Sequence, residues 1–162
     1  HAHFNLSDEP TILNHTLKIE SDKILKTDEY LVPNGEYLNV EKTAFDLNTH
    51  KKLDDVIKDQ LVQVNAKGLD HGYILKGNKT AHLKYDNKNL IVTTMYPGFQ
   101  VYSMNHLVKQ ELLNDRKFEY HAGIALEPQF EPNGINIKHF NQPILRKGDK
   151  YYLETIYHVF EN

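Results

Sequence analysis

The stretch Glu119-Tyr-His-Ala-Gly-Ile-Ala-Leu-Glu-Pro-Gln-Phe-Glu131 decides how we interpret the rest of this chain. Its apolar run, Ile124 to Leu126, is typical of a buried strand, and proline cannot donate a ladder hydrogen bond. We therefore expect a strand that ends at Pro128 and leaves Glu127 at its last paired position. Partial burial there would raise the pKa of the carboxyl group and suit it to proton transfer near neutral pH. The simpler interpretation is an exposed charge at a strand end.

Composition limits the classes of protein that this chain can represent. Its 162 residues suffice for one domain with a real core. A net charge of −3 and a pI near 6.4 provide no basic surface, so we expect no nucleic-acid partner. The apolar runs are too short to cross a bilayer, so we expect no membrane partner. Cysteine is absent, which excludes disulfides and thiolate sites. We expect a cytoplasmic location.

Strand patterns separated by turn residues dominate the chain. Leu17 and Ile19 alternate with polar residues within a predicted strand at residues 11–21. Pro33-Asn34-Gly35 predicts a turn. Further strands are predicted at residues 30–32, 37–40, 72–75, 81–85, 89–94, 99–103 and 151–160, with a hairpin turn at 86–88. Asp70 and His71 are interpreted as either a turn pair or site residues. The pattern indicates an all-β fold, an antiparallel β-sandwich or barrel.

One segment has helical periodicity instead. Five apolar residues in residues 52–64 recur at helical spacing, with acidic residues in the first turn, which predicts the main helix of the chain. Its apolar stripe is most simply explained by core packing. Residues 105–117 form a polar connection in which Val108, Leu112 and Leu113 could carry a helical turn. The segment after Glu127 is rich in proline and asparagine and is predicted to be a long ordered loop.

Three segments together resemble the aldose 1-epimerase (galactose mutarotase) family. The segment His1-Ala2-His3-Phe4-Asn5-Leu6 resembles the family's Asn-His-x-Tyr-Phe-Asn-Leu, with His3 at the usual tyrosine. Gly68-Leu69-Asp70-His71 resembles Gly-Phe-Asp-His, and Gly123 to Gln129 resembles Gly-Phe-Cys-Leu-Glu-Thr-Gln, with Pro128 in place of threonine. Each motif alone is weak, but their shared order and spacing cover essentially the whole chain.

The resemblance implies a fold, a site and a missing part. Family members are β-supersandwiches, and the resemblance places residues 1–162 as one β domain in the C-terminal half of that fold. It implies that Glu127 is the catalytic base, that His1 is the catalytic acid and that Asp70 binds sugar hydroxyls, with Gln100 and Gln129 as further substrate-binding candidates. The family's N-terminal half supplies an arginine and another histidine to the site. Because the chain begins with histidine, we expect a piece of a longer polypeptide.

The chemistry of these residue types agrees with the implied reaction. Interconverting the α and β anomers of a hexose such as galactose or glucose requires a base for the anomeric hydroxyl and an acid for the ring oxygen. Glu127 and His1 would fill these roles and exchange them when the ring closes on its other face. This chemistry needs no metal or cofactor.

Two other hypotheses remain open from the sequence. The first is a sugar-binding module that keeps the fold without turnover. Pro128 and His3 are compatible with it, because they depart from the family's usual threonine and tyrosine. The second is a copper protein that binds metal through an amino-terminal His1 with His3. An epimerase for hexose 6-phosphates is disfavoured because Arg116 and Arg146 are the only arginines.

Overall fold

A computed structural model describes residues 1–107 and 118–162 of the chain. The predicted connection at residues 105–117, with its possible helical turn, lies almost entirely outside this part. The described residues form antiparallel strands, two short α-helices and one short 3₁₀ helix, Gly134–Asn136. The strands are β1 (His3–Phe4), β2 (Thr16–Ile19), β3 (Ser21–Thr27), β4 (Pro33–Asn39), β5 (Lys51–Lys52), β6 (Asp70–Leu75), β7 (Thr80–Tyr85), β8 (Lys88–Thr94), β9 (Gly98–Tyr102), β10 (Ile124–Gln129) and β11 (Thr155–Glu161).

The strands form two sheets that enclose one apolar core. The first sheet has the order β1-β10-β9-β6-β3-β4, and the second has the order β11-β8-β7-β2-β5. Because side chains alternate along a strand, one face of each sheet supplies the core. Tyr73, Phe99 and Leu126 fill it from the first sheet, and Leu17 and Leu83 fill it from the second. The fold class predicted from the sequence, an antiparallel β-sandwich, is confirmed in its strands and corrected in its helices.

The predicted single helix at residues 52–64 is wrong, because the segment forms two short helices. These are α1 (Leu53–Ile57) and α2 (Gln60–Gln63). Asp59 has an extended backbone between them, and its carboxylate accepts a hydrogen bond from the Leu61 N–H group. An aspartate that caps a new helix competes with continuing the old one. As a result, Leu61 and Val64 are exposed instead of completing the apolar stripe.

The turn predicted at Pro33-Asn34-Gly35 is also wrong. Pro33-Asn34-Gly35 begins β4, and the chain reverses earlier, where the Asp28 carboxylate accepts hydrogen bonds from the Tyr30 and Val32 N–H groups. Asp70 and His71 lie in β6, not in a turn. The predicted hairpin between β7 and β8 is confirmed, with Tyr85 opposite Lys88.

The predicted strand at residues 11–21 divides between the two sheets. Its central part is β2 in the second sheet, and Ser21 already begins β3 in the first sheet. Glu20 is therefore the residue at which the chain crosses from one layer to the other. None of the described helices is long and apolar enough to cross a membrane.

The predicted end of the glutamate-bearing strand is corrected as well. β10 continues through Pro128, which pairs with Phe99, to Gln129, which pairs with Gly98. The other neighbour, β1, pairs only with Ile124 and Ala125. Within the described residues Pro128 is thus at a free edge, where a residue without an N–H group is tolerated.

Candidate active site

The strand order β1-β10-β9-β6 brings the predicted site residues onto one face of the first sheet. Glu127 pairs with Gln100, and Gln100 pairs with Gly72. In the adjacent row, Ala125 pairs with Tyr102 and Tyr102 pairs with Asp70. These residues alternate with core residues, so their side chains point away from the second sheet.

Glu127 is in direct contact with His1. Glu127 Oε2 lies 3.3 Å from His1 Nε2, and the exposed fractions of the two side chains are 13% and 73%, respectively. The pairing of β1 with β10 explains this contact, because His3 lies opposite Ala125 and residue 1, two positions earlier, reaches Glu127. A sheltered carboxylate beside an accessible imidazole can pass a proton to or from a bound molecule.

Burial raises the pKa of the Glu127 carboxyl group. The positive charge of the amino group of residue 1 opposes this shift, and the negative charge of Asp70 adds to it. A raised pKa makes the carboxylate a stronger base, which is the property that the sequence analysis expected at this position. Its cause is burial on the sheet face and not the end of a strand.

Asp70 and Gln100 form the second contact of the site. Gln100 Nε2 donates a hydrogen bond to Asp70 Oδ1 at 2.6 Å. Burial raises the pKa of the Asp70 carboxyl group, while the Gln100 hydrogen bond and the nearby charge of His106 lower it. The remaining carboxylate and amide oxygens of this pair are suited to accept hydrogen bonds from hydroxyl groups.

Gln129 lies two residues beyond Glu127 on the same strand. It borders a separate cleft of about 370 Å³ whose wall includes Tyr96, Phe130 and Tyr151. The register places its side chain on the same face as Glu127.

The polar residues that hold Asp70 in place are not predicted from the sequence. Ser103 Oγ accepts a hydrogen bond from the Leu69 N–H group at 2.9 Å, and Asn105 Nδ2 donates to the Leu69 carbonyl oxygen at 2.9 Å. Ser103 Oγ also donates to Asn105 Oδ1 at 2.6 Å. His71 Nδ1 accepts a hydrogen bond from the Asp70 N–H group. The only signal was the polar end of the strand predicted at residues 99–103, since Ser103 is its last residue and Asn105 follows after Met104.

Replacing Asp70 by Asn should reverse part of a pH-dependent loss of stability. A carboxyl group whose pKa is raised by folding keeps its proton to a higher pH in the folded state than in the unfolded state. The free energy of unfolding therefore falls as the pH rises from the unfolded pKa through the folded pKa. The unfolded pKa is about 4. The free energy of unfolding of the natural chain, minus that of Asp70→Asn, should therefore be smaller at pH 7 than at pH 3.5 in urea titrations.

The exposed carboxylate of Asp55 on α1 provides the control for this prediction. For Asp55→Asn, the corresponding difference in the free energy of unfolding should not fall between pH 3.5 and pH 7. A difference for Asp70→Asn that stays constant, or that grows with pH, would contradict the raised pKa.

Comparisons with known proteins place this arrangement in a family. The family model described as aldose 1-epimerase matches residues 1–158. Galactose mutarotase from Homo sapiens is 35% identical, over 93% of this chain and 46% of its own length. Aldose 1-epimerase from Escherichia coli (strain K12) is 33% identical, over 97% of this chain and 48% of its own length.

Solved structures agree with these matches. An aldose epimerase homologue from C. elegans has a TM-score of 0.89 and 27% identity, covering 99% of this chain and 50% of that chain. Galactose 1-epimerase from Lactobacillus acidophilus has a TM-score of 0.73 and 26% identity, covering 98% and 47%, respectively. The chain thus spans about half the length of the curated relatives that it matches. The matches favour the epimerase hypothesis over the copper-protein hypothesis, and the chain belongs to the aldose 1-epimerase family.

Proposed function

We propose that this chain carries the proton-transfer part of an aldose 1-epimerase that interconverts the α and β anomers of a hexose such as galactose or glucose. The observation that carries the proposal is the contact between the sheltered Glu127 carboxylate and the exposed His1 imidazole, beside the Asp70–Gln100 pair. Family membership supports the same reaction, since relatives are named galactose mutarotase and aldose 1-epimerase.

In the proposed reaction, Glu127 and His1 act on the two oxygens bonded to the anomeric carbon. Glu127 takes the proton from the anomeric hydroxyl while protonated His1 gives one to the ring oxygen, so that the C1–O5 bond breaks and an aldehyde forms. The C1–C2 bond then rotates, and the ring oxygen attacks the other face of the carbonyl. His1 now removes the proton from that oxygen and Glu127 returns one to the new anomeric hydroxyl. Ring closure therefore returns Glu127 to its carboxylate form and His1 to its protonated form, ready for the next sugar.

The proposed substrate-binding residues are Asp70, Gln100 and Gln129. The short hydrogen bond from Gln100 fixes one oxygen of Asp70 and leaves the other for a sugar hydroxyl. Holding the open-chain sugar in place favours reclosure over escape. Gln129 lies further along β10, where it can meet a more distant part of the sugar.

We propose that the rest of the site lies outside these residues. The curated relatives are about twice as long as the matched region, which supports assigning residues 1–162 as the C-terminal β domain of the family fold. The remaining half would supply further contacts to the sugar, from the same or a separate chain. We also propose a cytoplasmic location, which fractionation and immunoblotting can test.

The test is polarimetry that starts from pure α-galactose. We expect slow anomerisation with the chain alone and rapid anomerisation when the N-terminal half of the family fold is also supplied. If the chain binds galactose both alone and with the N-terminal half, but anomerisation is not accelerated in either case, the chain would instead be a sugar-binding module. Full activity of the chain alone would contradict the proposed need for the other half.

A further inference from the structure

A pair of imidazoles lies on the second sheet, away from the candidate active site. His50 Nε2 is 3.1 Å from His82 Nδ1, and the two rings meet edge to face with their centroids 4.6 Å apart. His82 is in β7 between the core residues Ala81 and Leu83, so its side chain points out of the sandwich. The pair lines a cleft of about 580 Å³.

The hydrogen bonds of Asn89 fix the tautomer of His82. Asn89 is buried, and its Nδ2 donates to the Asn87 carbonyl oxygen at 2.9 Å. Its Oδ1 therefore faces His82 Nε2, at 3.0 Å, and can only accept a hydrogen bond. His82 thus carries its proton on Nε2 and presents the lone pair of Nδ1 to His50. An imidazole held by an acceptor behind it is the usual arrangement of a metal-binding histidine.

We propose that His50 and His82 bind a divalent transition-metal ion of the zinc class, with water completing its coordination. Two nitrogens at about 2.0–2.1 Å from a tetrahedral zinc ion lie roughly 3.3 Å apart, close to the separation seen here. The ion would take the place of the proton now between Nε2 of His50 and Nδ1 of His82, and that proton would move to Nδ1 of His50, so that both rings bind the ion as neutral imidazoles. In residues 1–107 and 118–162 no group of three or more His, Cys, Asp or Glu side chains could hold a metal, so the site has two protein ligands.

The charges around the pair set the strength of binding. Burial lowers the pKa of His50, and His82, Lys18 and Lys84 lower it further. A lowered pKa favours the neutral imidazole, which is the form that binds a metal ion. The two lysines repel a divalent cation, whereas Asp86 on the cleft wall attracts it. Salt screens both the repulsion and the attraction at this exposed cleft.

Metal binding at this pair would fasten a loop to the sheet. His50 directly precedes β5 and α1, and His82 lies in the middle of β7. An ion bound to both would connect residue 50 to a strand 32 positions later in the chain. Because the unfolded chain does not hold the two rings together, the ion should raise the melting temperature.

The experiment follows Zn(II) binding by calorimetry and by the ¹⁵N resonances of the imidazole rings. His1 and His3 are potential metal ligands as well, so all proteins carry His1→Ala and His3→Ala. We expect Zn(II) to shift His82 Nδ1 and His50 Nε2 and to raise the melting temperature. His50→Ala or His82→Ala should lower the affinity at least about tenfold, in line with the loss of a ligand-shell group.

Three further variants separate this site from other imidazoles and from loss of folding. His158 lies on the same face of the sheet, two strands from His82, and His158→Ala should leave the affinity unchanged. Asn89→Ala should weaken binding about 10- to 100-fold, and Asn89→Asp, which keeps the acceptor, should restore it. Equal affinity of the parent protein and the His50→Ala, His82→Ala double variant, or ring resonances unmoved by Zn(II), would overturn the proposal.

Discussion

Replacing Glu127 by Gln should lower the rate of catalysed galactose anomerisation by roughly 10²- to 10⁴-fold, the usual contribution of a general base. Glutamine keeps the shape of the side chain and its contact with His1 but cannot accept the anomeric proton. We therefore expect kcat to fall in polarimetry while KM changes little. The assay uses the chain together with the N-terminal half of the family fold.

The folded state should tolerate this change. Burial already disfavours the ionised form of Glu127, so a neutral glutamine does not lose a favourable buried charge. The matched control is Glu161→Gln, which alters an exposed strand glutamate in β11 of the other sheet and should leave kcat unchanged. A near-normal kcat for Glu127→Gln would contradict the assignment of Glu127 as the base.

Local sequence patterns predicted much of the strand content. The alternation on either side of residues 86–88 predicted the hairpin of β7 and β8 because adjacent strands with a short turn need only local information. The break between α1 and α2 was not predicted. The apolar spacing is continuous through Asp59, but the hydrogen bond from its carboxylate to the Leu61 N–H group favours a new helix start over continuation.

The arrangement of the site depends on contacts between residues that lie far apart in the sequence. Asp70 and Gln100 meet because β6 and β9 are neighbours, and Glu127 joins them because β10 pairs with β9. Strand order is not encoded in the alternation of any single strand. Family resemblance therefore identified these residues, whereas their contacts required the fold. Pro128 was interpreted as a strand end because the sequence does not reveal which edge of β10 is free.

The backbone next to Asp70 is the feature of the site most sensitive to a single added atom. Gly68 has a φ of +151°, and a Cβ atom there would lie 2.2 Å from Asn105 Oδ1 and 2.9 Å from Ser103 Oγ. Both polar side chains are buried and hold Leu69 through hydrogen bonds. They cannot move away without leaving buried polar groups without partners, which is costly.

Gly68→Ala should therefore destabilise the chain by roughly 3 kcal/mol, from overpacking combined with backbone strain. For a chain of this size, that corresponds to a fall in melting temperature of roughly 6–12 °C. Differential scanning calorimetry measures this fall. Galactose binding should weaken as well, because displacement of Leu69 moves the Asp70 carboxylate away from Gln100.

Gly148→Ala separates the effect of the clash from that of the backbone angle. Gly148 also has a positive φ, +94°, but no heavy atom lies within 4 Å of the position of an added Cβ. Its replacement should cost roughly 1 kcal/mol, from the backbone conformation alone. Equal melting temperatures for the two variants would mean that Ser103 and Asn105 do not constrain residue 68. A much lower value for Gly68→Ala would instead identify the Ser103–Asn105–Leu69 network as the support that positions Asp70.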